Sequence, residues 1–254
     1  MIRLTICVCL ALKCENLRGF ILFISYFLLT LLLEAQSNYH QIDSLIKQGD
    51  IQSAKGNDLG ALKCYEKALV LSEKIGIDSL VFYSKRGIGN LLLDRQNPDG
   101  IKIMGQCVVL ALKLNNTKLL ISLYQQIALY YSGLANTNID TILFDSSLIY
   151  HRKTKEVIDA LDAKEAATLL VDYNNNLSTI YISKNYPKRD ILKGVSLLKK
   201  AREVINKYGL PEDAAIYINI GDSYENKFNE TLKKPFLDSA LLYYCLLYTS
   251  PSPR

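Results

Sequence analysis

GNDLGALKCYEKALVL, residues 56–71, decides how the rest of the chain is read. Its apolar or small residues fall at Leu59, Ala61, Leu62, Tyr65, Ala68, Leu69 and Leu71, a spacing that lines one face of an α-helix. Lys63, Glu66 and Lys67 occupy the other face, and Gly56-Asn57-Asp58 supplies a turn and a helix cap ahead of it. A single helix of this kind leaves its apolar stripe in water, so it needs a partner helix nearby in the chain.

Working outward, partner helices are marked by small residues in mid-helix, often followed three residues later by tyrosine. Gly221 with Tyr224, Ser178 with Tyr181 and Ala128 with Tyr131 show the pattern. Gly89 is followed by Leu92, and Gly49 begins the weakest copy. The small residues recur at steps of 40, 39, 50 and 43. The second helices recur too: DSSLIYH (145–151) matches DSALLYY (238–244), which puts Ala240 where Ala61 stands in the first unit. A small residue lets two helix backbones approach, and a tyrosine one turn on fills the space beside the contact. One such hairpin cannot bury its own stripe, so hairpins stack. The fold expected is all-α, tandem helix-turn-helix units stacked as an α-solenoid.

GNDLGALKCYEKALVL closely resembles the second helix of a tetratricopeptide repeat, with Gly56, Ala61, Tyr65 and Ala68 at the family's small and aromatic positions. IGDSY (220–224) resembles the family's first-helix core. The resemblance covers about residues 38–244, within a body of 36–244, as about five divergent helix pairs with the last incomplete. The steps exceed the family's period of about 34 residues. The extra residues are expected in loops near Asn97-Pro98, Asn136–Thr141 and Tyr186–Asp190.

The two ends read differently from this body. Residues 20–33, FILFISYFLLTLLL, form an apolar run of 14 preceded by Arg18. A helix of that length reaches about 21 Å, short of the roughly 30 Å hydrocarbon core of a bilayer. Residues 1–35 are therefore expected to be a secretory signal peptide cut after Ala35, despite Leu33 at the −3 site, or else an uncleaved anchor. Residues 1–16 carry a second apolar patch, LTICVCLAL, that fits a start assigned too early, with translation beginning near Leu17. CLLYTSPSPR, 245–254, resembles translated read-through of a transposase sequencing adapter, and Pro251 and Pro253 stop any helix, so these ten residues are expected to be an artefact.

Without both ends the formal charge falls from +5 to +3, which points to no nucleic-acid or anionic-membrane surface. Cys7, Cys9, Cys14 and Cys245 belong to the ends, and the body keeps only Cys64 and Cys107, too few for a disulfide framework or a metal set. GIGNLLLD (87–94) contains Gly-x-Gly inside a helical pattern with no preceding strand, unlike a phosphate loop. Of the two histidines, His40 lies near the expected cut and His151 takes the place of Tyr244 in the matched second helices, a packed aromatic position. Glu203 and the acidic residues of 156–165 read as solvated helix faces. No catalytic, cofactor-binding or metal-binding residues are expected, and the chain is not read as an enzyme.

The resemblance implies another mode of action, in which the first helices line a concave groove that holds a protein or peptide. The groove positions carry over to Arg86, Asn90, Gln125, Asn175, Thr179 and Asp222. Asparagine and glutamine suit an extended backbone because each carries donors and an acceptor. The family's clamp for a C-terminal carboxylate is not expected, since Ile46 and Asp50 stand where lysine and asparagine would be needed. The expectation is an exported interaction scaffold, the extracytoplasmic part of a larger bacterial signalling protein of the sensor histidine kinase kind. A stand-alone envelope adaptor, or the repeat region of an enzyme or DNA-binding regulator, are the alternatives.

Overall fold

In the computed structural model, residues 17–249 are described; the early-start segment 1–16 and the end of the tail, 250–254, lie outside them. Among the described residues the chain is all-α, ten helices and no strand, joined mostly by short turns. It divides into two compact units, the first ending at Asp94 and the second beginning at Arg95.

The first unit holds α1 (Leu17–Ala54), α2 (Asp58–Ile75) and α3 (Asp78–Asp94). Helix α1 is 38 residues long and runs without a break through Ala35, because no glycine or proline occurs between Gly19 and Gly49. Its two halves differ. Leu22, Ile24, Tyr26, Leu28, Leu29, Leu31 and Leu33 are exposed, and at 100° per residue they fall on two opposite sides of the helix. Ile42 and Ile46, further along, are buried where α1 packs against α2 and α3. Among the described residues no helix is long and apolar enough to cross a membrane.

Helix α2 starts where Asn57 accepts a hydrogen bond from the Gly60 amide at 3.1 Å. It ends on Gly76 at φ 76°, a left-handed conformation that glycine takes without the strain of a Cβ. Its buried face is Ala61, Tyr65, Ala68 and Ser72, the stripe set by helical spacing. Tyr65 fills the space between the two neighbouring helices. A Cβ on Gly49 of α1 or on Gly87 of α3 would come within 2.5 Å of its ring. The ring is sandwiched between two backbones, and its hydroxyl donates to Asp50 at 2.7 Å. The close approach in α3 belongs to Gly87; Gly89, the small residue of the repeat pattern, is also buried.

The second unit holds α4 (Asp99–Lys113), α5 (Thr117–Asn138), α6 (Thr141–Asp159), α7 (Ala163–Ile182), α8 (Ile191–Tyr208), α9 (Ala214–Thr231) and α10 (Lys234–Thr249). Consecutive helices pack as hairpins, with α5 on α6, α7 on α8 and α9 on α10, and each hairpin packs on the next. Five of these starts are capped by one chemistry: Asn116, Asp140, Asp162, Asp190 and Asp213 each accept a hydrogen bond from a backbone amide of the first turn. The core runs along the interior as a chain of clusters. One comprises Ile121, Ile158, Ala166 and Tyr173, and the next is built from Val171, Leu198, Ala201, Ile216, Ile220 and Tyr243, among others.

One feature differs from the sequence reading. The loop expected over Asn136–Thr141 is mostly helix: α5 continues to Asn138, and Ile139 in the left-handed region at φ 54° with Asp140 as the next cap makes the whole turn. Helix α10 continues past Tyr244 through Thr249, and Leu246 and Leu247 pack against the last cluster. The prolines that stop a helix come only at 251 and 253.

Candidate functional site

A cavity of about 470 Å³ opens on the second unit between the first helices of successive hairpins. Asn136 of α5 forms one end; Ser178, Thr179 and Ile182 of α7 form the floor; Asn219, Asp222, Ser223 and Asn226 of α9 form the far wall. The turn after α7 adds Ser183, Lys184 and Asn185. The lining is rich in amides and hydroxyls, with a single lysine and a single carboxylate.

Hydrogen bonds hold these walls in place. The Asn185 side-chain amide donates to the Asn136 backbone carbonyl at 2.8 Å, and Ser183 bonds the Asn136 side chain, which ties the α7–α8 turn to α5. On the other side, Asn219 Nδ2 donates to Asn175 Oδ1 at 3.0 Å, which joins α9 to α7. That bond uses one half of each amide and leaves the Asn175 Nδ2 donors and the Asn219 Oδ1 acceptor, the two complementary groups that a peptide unit requires. The hydroxyls of Ser178, Thr179 and Ser223 bond backbone carbonyls of their own helices, so they contribute oxygen acceptors.

Asp222 has an internal partner. Tyr244 donates its one proton towards Asp222 at 2.7 Å and Glu225 at 2.8 Å. Burial and those two carboxylates push the phenol above its ordinary range, so it stays a donor. A Cβ on Gly221 would strike the Tyr244 ring, the same relation that Gly49 has to Tyr65. Gly-Asp on a first helix and tyrosine on the second thus recur as one packing unit at both ends of the repeat series.

The sequence-derived groove positions distribute as follows. Thr179 and Asp222 line the cavity, and Asn175 holds Asn219, which lines it. Gln125 lies on α5, three helical turns before Asn136 and outside the lining; its Nε2 and the Oε1 of Gln126 are buried without a partner. Arg86 and Asn90 lie on α3 in the first unit, half-buried. Of the remaining repeat positions, Ser178 and Ala128 are buried; Tyr131 stacks on Tyr150 at 5.8 Å, Tyr181 meets Tyr186 edge-on at 5.9 Å, and Tyr224 lies against Phe236 and Tyr243. Ala240 is buried in α10.

Asn219 and Asn226 were legible in the sequence and missed: they stand three before and four after Asp222, on the same helical face. Lys184 and Asn185 were not legible, because they project from a turn whose path depends on how α8 packs.

His151 is 1% exposed, sits edge-on to Tyr173 at 6.0 Å, and has no hydrogen-bond partner on either ring nitrogen. Burial lowers its pKa to about 4, so it is neutral at pH 7. Among the described residues no three His, Cys, Asp or Glu side chains come together to hold a metal ion. Compared with models of known protein families and with curated proteins, the chain matches none.

Proposed function

We propose that this chain is a protein-interaction scaffold of tetratricopeptide-like hairpins, and that its first-helix face holds an extended segment of a partner protein or peptide. The observation that carries this reading is the amide-lined cavity across α5, α7 and α9, whose wall residue Asn219 is held by Asn175 beside it; among the described residues that pair keeps a donor and an acceptor uncommitted. A main chain needs paired donors and acceptors, and the amides and hydroxyls of this lining supply both. Neither nucleic acid nor a cofactor has a place in this reading.

The test uses a displayed library of short linear peptides selected on the full chain. Asn175→Ala with Asn219→Ala removes both halves of the amide pair together, so no orphaned group is left behind. The selected peptide is expected to bind the double variant roughly tenfold more weakly, with an unchanged melting curve by circular dichroism. Gln125→Ala, outside the cavity, serves as the control. Unchanged affinity in the double variant, or no selectable peptide, removes the groove from the function.

The chain is further read as exported, periplasmic or anchored facing the periplasm, and as the extracytoplasmic part of a bacterial sensor of the histidine kinase kind. The exposed apolar half of α1 supports export, because apolar side chains on two opposite sides of a helix, left uncovered by the described residues, suit a translocation channel or lipid. Cell fractionation with N-terminal sequencing checks this; an unprocessed cytosolic chain removes it. Sequencing the locus past the Tyr244 codon separates a kinase-bearing sensor from a stand-alone adaptor, or from the repeat region of an enzyme or DNA-binding regulator.

A further inference from the structure

The second unit carries another crevice, of about 560 Å³, between the second helices α6 and α8 and floored by α7. It lies on a seam of the core. Tyr173 and Leu170 belong to one hydrophobic cluster and Val204 to the next, and Leu197 is half-buried between them. Where two clusters adjoin without closing, half-buried apolar side chains form a strip that a partner's apolar side chains can extend.

Lysines stand around this strip. Lys200 and Lys207 rise from α8 seven residues apart, about 10.5 Å along the helix. Both are exposed, and among the described residues neither forms an ion pair, although Glu203 lies between them on the helix. Lys155 faces them from α6, where Asp159 pairs with it. The lining therefore has an apolar centre and a positive edge. Beneath the floor, Tyr173 rests against His151, whose two ring nitrogens lack partners.

We infer that this crevice docks an acidic amphipathic helix of a partner protein. Leucine-like side chains would lie on Leu170, Leu197 and Val204, and carboxylates two turns apart would meet Lys200 and Lys207. A groove between two helices fits a third helix. The crevice is open to solvent, and a small amphiphile would keep much of its surface in water, unlike the enclosure usual for small-molecule sites. The site is separate from the amide-lined cavity and does not depend on it.

Two synthetic helical peptides of about 18 residues, five turns each, test the inference. They share one leucine stripe; one is flanked by glutamates and the other by lysines. Fluorescence anisotropy with the full chain is expected to show binding of the glutamate peptide, weakened by rising salt, and little binding of the lysine peptide. Lys200→Glu with Lys207→Glu is expected to weaken the glutamate peptide roughly tenfold and strengthen the lysine one, while Asn175→Ala with Asn219→Ala changes neither. The chain has only two histidines, so His151 and His40 ring signals in NMR locate the contact: His151 shifts and His40 does not. Equal affinity for both peptides, binding indifferent to the charge reversal and to salt, or attachment only to phosphatidylglycerol vesicles overturns it. If the reversed variant fails to fold, the salt titration and the His151 signal of the unmodified chain decide alone.

Discussion

The hairpins α9/α10 and α5/α6 carry matching second helices but treat one position differently. In the last hairpin, Tyr244 lies on Gly221 and donates its hydroxyl to Asp222 and Glu225; in the first hairpin, Tyr65 does the same with Gly49 and Asp50. In α5/α6 the matching residue is His151, and the residues matching Gly-Asp are Ala128 and Leu129. His151 is buried in the core, yet its ring nitrogens have no partner, because leucine stands where the first and last hairpins place a carboxylate. Packing shape is what these repeats share. The polar partner is an independent choice, and where it is absent the buried group costs stability.

The largest expected consequence is acid sensitivity centred on α6. In the unfolded chain an imidazole takes up a proton as pH falls through 6.5, while the folded His151 resists until about 4. The unfolded state therefore gains protons first, and stability falls across that window, by about 2 kcal/mol at pH 5. His151→Phe is expected to flatten this limb in urea melts between pH 7 and 4. An unchanged acid limb would mean that His151 is not the group responsible.

Next is the glycine contact of the first hairpin. Gly49→Ala and Gly87→Ala each place a Cβ within 2.5 Å of a Tyr65 ring already held on both sides, and each is expected to cost about 2 kcal/mol. Gly105→Ala and Gly133→Ala, in exposed helix interiors with open space around the new methyl, are expected to stabilise by about 0.5–1 kcal/mol. Thermal denaturation followed by circular dichroism separates the two classes. If all four behaved alike, the close approach would not be a constraint.

A graft sharpens the comparison. Leu129→Asp together with His151→Tyr rebuilds in α5/α6 the Asp–Tyr pair of the first hairpin. The double variant is expected to exceed the sum of the single changes by about 1 kcal/mol of coupling in a double-mutant cycle. Zero coupling would show that Ala128 holds the backbones too far apart for the pair to form.

The smallest effect lies in the turn between these helices. Ile139 is β-branched, 70% exposed and held at φ 54°, where a Cβ meets the backbone. Ile139→Gly is expected to stabilise by about 0.5–1 kcal/mol, the relief of that clash less the added freedom of the unfolded chain. A lower melting temperature would show that Ile139 makes contacts beyond its turn.

The sequence alone determined the helices, their order as hairpins, and the buried stripe of α2 at Ala61, Tyr65 and Ala68. These follow from periodicity and caps within about 18 residues, information carried locally. Half of the candidate groove was legible in the same way: Thr179 and Asp222 line the cavity, and Asn219 and Asn226 share the Asp222 face. The tertiary structure decided the rest. It chose Gly87 as well as Gly49 to flank Tyr65, because that contact depends on how α3 crosses α2. It joined Asn136 to Asn185 across 49 positions. It turned Asp222 towards Tyr244, and it left His151 without a partner. Each of these depends on which helix lies beside which, and a periodic pattern says which face is buried without saying what it meets.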